Sequence, residues 1–226
     1  TEREDLQWQK FFAACSLLFV IFTFVGLEVF WPQPPSFALS GEQTGLYVEY
    51  QRGFIMGVVL CSIGMAFLLA WTVQFGVMLS RVDAGSRSVT AVTLASLAAS
   101  PILLSFDLAI FGVAAFRPDA TSPDVTRAFS DLAWLGSQYI WPMLMLGMAL
   151  SGILILKRKD GPGALPAWLG WFSIVVAVCE LGQLPIFFVK SGPFSGNGAG
   201  AWYLATFTWG PWILAAGWAM YRVPGR

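Results

Sequence analysis

The run WLGWFSIVVAVCELGQLPIFF, residues Trp168 to Phe188, decides the reading of this chain. It is long and oily enough to cross a bilayer, yet it carries Glu180 and Gln183 and ends just before Lys190. A carboxylate at that depth is expensive, so it is expected to face protein rather than lipid and to mark a functional site. Glu180 and Gln183 are one turn apart on one helical face, and Pro185 loosens the helix just beyond them.

Five further apolar runs frame this one. The expected spans are Phe11 to Trp31, Gly53 to Leu79, Ala91 to Phe116, Leu132 to Leu156, Trp168 to Phe188, and Trp202 to Tyr221. Each is roughly 20 to 27 residues, enough to cross a hydrocarbon core of ~30 Å with some tilt. Composition agrees: 57% of the 226 residues are hydrophobic, only 12% are charged, and the mean hydropathy is +0.67. The expected fold is therefore all-α, a polytopic six-transmembrane-helix bundle that makes one domain over residues 1–226.

Orientation follows from Lys and Arg. One set of span ends holds Arg3, Lys10, Arg81, Arg87, Lys157, Arg158, Lys159, Arg222 and Arg226; the other holds Arg52, Arg117, Arg127 and Lys190. The excess on the first set predicts that both termini are cytoplasmic. Thr1 to Lys10 is acidic and polar and lacks the basic start of a secretory signal, so the first run is read as a retained helix.

Several function classes drop out. The chain has no histidine, the commonest ligand of haem, zinc and non-haem iron and the usual base of hydrolytic triads. Cys15, Cys61 and Cys179 stand singly in apolar runs with no C-x-x-C spacing, so no metal and no cofactor is expected. There is no phosphate-binding loop or nucleophile elbow, which argues against familiar pumping and hydrolytic machinery. The formal net charge is zero and no basic run is present, so nucleic acid is not an expected partner.

The polar residues inside the spans are unevenly placed. Glu28 lies just inside the Trp31-Pro32 stop of the first span, and Arg52 follows the long Pro32 to Tyr50 loop. Pro101 should kink the third span, with Asp107 about two turns before its outer end. Ser122-Pro123-Asp124 combines an N-cap, a first-turn proline and a first-turn acid, so a helix is expected to start near Pro123 and enter the membrane around Leu132. Along it Asp131, Trp134, Gln138 and Trp141 recur at spacings of three and four, one face that should point inward. Trp209 and Trp212 sit at mid-depth in the last span, away from the interfacial belt where tryptophan is commonest.

The segments Ala115-Phe116-Arg117-Pro118-Asp119, Ser130-Asp131-Leu132-Ala133-Trp134-Leu135, Pro166-Ala167-Trp168-Leu169-Gly170-Trp171 and Lys190-Ser191-Gly192-Pro193-Phe194 with Asn197-Gly198 carry a likeness across most of the chain. In them the chain resembles a family of small multi-spanning bacterial membrane proteins, mostly actinobacterial and proteobacterial. That resemblance implies the same six-span fold in a bacterial inner membrane and brings no activity with it.

The expected site is an outward-facing pocket. Its polar groups are Glu180, Gln183, Asp107, Asp131, Gln138, Arg52 and Glu28, and its walls are drawn from Trp134, Trp141, Trp209, Trp212 and Phe106. Carboxyls taken out of water are stabilised in their neutral form, in which they donate a hydrogen bond or pass on a proton. The leading expectation is a protein that binds or carries a hydrophobic small molecule of sterol, isoprenoid, quinone or fatty-acid type, as part of a larger membrane complex or alone. One alternative is a histidine-free enzyme, an acid-catalysed isoprenoid cyclase or isomerase, with Glu180 and Asp107 as its catalytic acids. The other is a structural anchor subunit whose polar groups only lock helices together.

Overall fold

The computed structural model describes residues 2–30, 38–44, 53–82, 87–116, 121–157 and 164–224, and every regular element among them is helical. Helix α1 is Glu2–Phe24 and runs on as a π-helical turn, Val25–Phe30. Helices α2 (Phe54–Val82) and α3 (Arg87–Phe116) follow. Helix α4 (Pro123–Tyr139) continues after a one-residue break into α5 (Trp141–Lys157). Helix α6 (Ala167–Cys179) tightens into a 3-10 segment, Glu180–Phe187, and α7 (Leu204–Arg222) is entered through a π-helical turn, Ala199–Tyr203.

The long elements close a ring in chain order. Each of α1, α2, α3, α5, α6 and α7 packs on its sequence neighbour in that series, α7 returns to α1, and α4 packs on α3. Five stretches are long and apolar enough to cross a membrane: Arg3–Leu27, Ile55–Arg81, Arg87–Val113, Pro123–Lys157 and Ala167–Phe187. Leu17, Ile21, Val59, Ile63, Val73, Val92, Ile102, Val113, Val175 and Val178 are all exposed. Water disfavours so much bare aliphatic surface, whereas acyl chains accept it, and the protein is accordingly a membrane-embedded helical bundle.

Local sequence explains where the helices start and bend. Ser122 caps α4, its hydroxyl accepting from the Val125 N–H, with Pro123 and Asp124 in the first turn. The α4–α5 break lies where Pro142 cannot donate to the Gln138 carbonyl; the Ile140 N–H donates to it instead. Pro185 likewise cannot continue an α-helical ladder, and the chain around it is wound as 3-10 helix. Pro101, expected to kink the third span, is carried within one continuous helix.

The half of the ring that holds both chain ends is tightly closed. Gln9 Nε2 donates to the carbonyls of Met220 and Val223, each at 3.0 Å, and Arg81 Nη1 donates to Gln9 Oε1 at 3.1 Å. These are α7 C-terminal carbonyls that have no partner within their own helix, so one buried glutamine serves as a cross-chain cap. One turn deeper, Gly217 has no side chain where Ser16 of α1 approaches, and a Cβ there would strike the Ser16 hydroxyl. Between these contacts and the ring centre, Trp71, Phe75 and Trp212 pack with centroid separations of 5.2 to 5.9 Å.

Candidate functional site

The opposite half of the ring is open. A cavity of about 300 Å³ lies between the last turns of α1, the first half of α2, the second half of α3, the end of α4 with the start of α5, and the first half of α7. Its walls are mainly aromatic: Phe19, Phe111, Trp134, Trp141, Trp202 and Trp209. These rings meet edge to face. Phe111 and Trp134 are 4.9 Å apart, Trp134 and Trp202 5.3 Å, Trp141 and Trp209 5.5 Å, and Phe19 and Trp209 5.4 Å. Perpendicular aromatic pairs are favourable by about 0.5–1.5 kcal/mol beyond their burial, so the wall is a preformed lattice of rings.

The cavity reaches the outside between α1 and α7. Phe24 of α1 and Phe207 and Pro211 of α7 both line it and are exposed on the bundle surface. The same two helices that Gln9 and Ser16 hold together at one end therefore flank a lateral opening at the other. Gly210 adds to the space: a Cβ built there meets no atom within 4 Å.

Among the described residues Asp107 is the one carboxylate in the wall. It is 7% exposed and has no hydrogen bond or ion pair among the described residues. Gly136 makes room for it: a Cβ on that residue would lie 2.6 Å from Asp107 Oδ1, so the carboxyl rests against bare α4 backbone. Beside it, Ser137 donates to the Trp134 carbonyl at 2.8 Å and Gln138 Nε2 approaches Ser137 Oγ at 3.4 Å. Thr23 Oγ1, Gln138 Oε1, Trp141 Nε1 and Trp209 Nε1, all on wall residues, are enclosed and have no hydrogen-bond partner among the described residues. Each such atom costs about 1–3 kcal/mol, and proteins tolerate that most readily around functional cavities.

The expected site residues divide into groups. Asp107, Gln138, Trp134, Trp141 and Trp209 are gathered in this wall. Glu180 and Gln183 are not part of it; they lie fully buried in the 3-10 segment, where residues three apart eclipse one another. There Gln183 Nε2 donates to Glu180 Oε2 at 2.7 Å while Oε1 has no partner. Trp212 belongs to the closed half, its Nε1 donating to Ser173 Oγ at 2.8 Å across to α6. Asp131, expected to point inward, instead stays at the surface, 3.7 Å from Arg127 one turn earlier, where water and a cation both solvate it. Phe106 is 68% exposed and turned away from the cavity, because it stands one residue off the Asp107 face of α3. Arg52 lies outside the described residues, and so does the side chain of Glu28.

Phe19, Thr23, Phe111, Trp202 and Thr206 also line the wall and were not expected there. Thr23 and Thr206 are hydroxyls in apolar runs, a weak signal; the phenylalanines and Trp202 have none that distinguishes them from core. Among the described residues no three His, Cys, Asp or Glu side chains come together as a metal-binding group. The chain matches no protein-family model, no curated protein and no solved structure.

Proposed function

We propose that this is a single-domain, six-span protein of the bacterial inner membrane, with both termini cytoplasmic, that binds or carries a hydrophobic small molecule in the cavity between α1 and α7. The ligand is of sterol, isoprenoid, quinone or fatty-acid type, held by the protein alone or as a subunit of a larger membrane complex. The sixth span is α7: its 19 residues rise about 28 Å, close to the hydrocarbon thickness. Basic residues in the last turns of α2, α5 and α7, namely Arg81, Lys157 and Arg222, support the cytoplasmic assignment of that end. Arg222 over Trp218 and Lys10 over Tyr221, each 5.3 Å from the ring centroid, make the amphipathic pairs expected at a membrane surface.

The observation that carries this reading is the lateral opening. A half-enclosed aromatic cavity of about 300 Å³, rimmed by Phe24, Phe207 and Pro211, would be reached from the acyl chains rather than from water. Its size is at the lower end of the ~300–1,000 Å³ range of small-molecule sites, so it would take a head group or ring and leave a longer tail in the bilayer. The test is extraction in a mild non-ionic detergent followed by mass spectrometry of bound lipid, with Gly210→Phe as the control. That variant fills open space and should keep the fold. One enriched lipid species in the wild type that is lost from Gly210→Phe is the expected result. No enrichment, or the same enrichment in both proteins, would overturn the reading.

A further inference from the structure

Resting on the reading that this cavity binds a hydrophobic small molecule, but replacing the neutral and acidic classes named above, we infer that it selects an amphiphilic organic cation, an alkylammonium group seated among the rings with Asp107 as its counter-charge. Three observations converge. Among the described residues Asp107 is the sole formally charged side chain in the wall, and none of the described Lys or Arg residues lines the cavity to neutralise it. It has no ion pair or hydrogen bond among the described residues, although it is 7% exposed. An isolated carboxylate in such surroundings is costly, and a ligand that brings the opposite charge removes that cost at the moment of binding.

The rings supply the rest of the recognition. Eight aromatic side chains line the same space, and several of them pack perpendicular to one another. An ammonium within about 6 Å of a ring face is attracted by the ring quadrupole, most strongly by tryptophan, and four of the eight are tryptophans. A substituted ammonium is also weakly hydrated, which suits a wall with few polar groups. Gly136 completes the arrangement by letting the carboxyl lie back against α4, so that the charge borders the cavity without filling it.

A matched set of probes separates the possibilities. Dodecyltrimethylammonium, dodecanol and dodecanoate share a chain and differ in the charge of the head. Each is titrated into the purified full-length protein in an uncharged maltoside micelle, with tryptophan emission as the readout. The expected result is a preference of tenfold or more for the ammonium over the alcohol, with dodecanoate weakest. Asp107→Asn should collapse that preference to less than threefold, with an unchanged far-UV circular dichroism spectrum and melting midpoint reporting that the variant is folded. Equal wild-type affinities for ammonium and alcohol, or a preference that survives Asp107→Asn, overturns this inference and leaves the binding reading standing. Failure of all three probes to saturate contradicts the binding reading itself. Phosphatidylcholine added to the micelle distinguishes two sources of the same chemistry: competition indicates a lipid head group, and its absence a free amphiphilic amine.

Discussion

Placing a methyl group on Gly136 presses directly on Asp107. An ideal Cβ there would be 2.6 Å from Oδ1 and 3.4 Å from the carboxyl carbon, so the oxygen must retreat by roughly 1 Å to reach ordinary van der Waals separation. Forcing a packed wall to yield by that much costs about 1–3 kcal/mol. Alanine also stabilises a helix by up to about 1 kcal/mol relative to glycine, which works in the opposite direction. In an Asp107→Ala background only the second effect remains. With ~1 kcal/mol of helix gain subtracted, Gly136→Ala should therefore lower the apparent melting midpoint by up to ~8 °C in the wild type, at ~2–4 °C per kcal/mol for a chain of this length. The same change should leave the midpoint level or raise it slightly when residue 107 is alanine. The assay is a double-mutant cycle on detergent-solubilised protein at a fixed scan rate, and the expected coupling is ~1–3 kcal/mol. Equal shifts in both backgrounds would refute the placement of the Asp107 carboxyl against α4.

Three further outcomes follow from the same geometry. Gln9→Ala removes both cross-chain bonds to the end of α7 and the acceptor for Arg81, and should destabilise the protein by ~2–3 kcal/mol in the melting assay without altering probe affinity. Trp212→Phe keeps an aromatic ring but loses the pyrrole part of the indole with its Nε1 donor to Ser173, and at this fully buried position should cost ~2–4 kcal/mol, again with probe binding intact, because the indole stands in the closed half. Arg127→Ala should change the midpoint by less than ~0.5 kcal/mol, since its pairing with Asp131 is exposed and 3.7 Å long.

The helical class was legible because hydropathy acts over whole segments: a block such as Phe54–Val82 can satisfy its backbone in lipid only as a helix. The start of α4 was equally legible, since Ser122, Pro123 and Asp124 act on their own first turn. The site was legible in part. Asp107, Gln138, Trp134, Trp141 and Trp209 share a wall, and each was singled out by polarity or by its distance from the interface. Glu180 gave the loudest signal and lies elsewhere, because depth along a span says nothing of which way a side chain turns once the helix tightens to 3-10 geometry. Asp131 was placed on the inward face by periodicity alone, which says nothing of position along the helix; it stands nearer the start of α4 than Trp134 and Gln138, where Arg127 pairs with it. Gly136 and Gly210 carry as much of the geometry as any polar residue, yet a glycine in a span looks the same whether it admits a carboxyl, a ligand or a neighbouring helix.

Whether a ligand occupies the space between α1 and α7 decides the function of this protein. Photolabelling with an alkylammonium that carries a diazirine on its chain, followed by peptide mapping, addresses this directly. Labels should concentrate on 19–27, 104–111 and 202–214 and should disappear in Gly210→Phe. Labelling spread evenly over the exposed aliphatic faces, unchanged by Gly210→Phe, would contradict it.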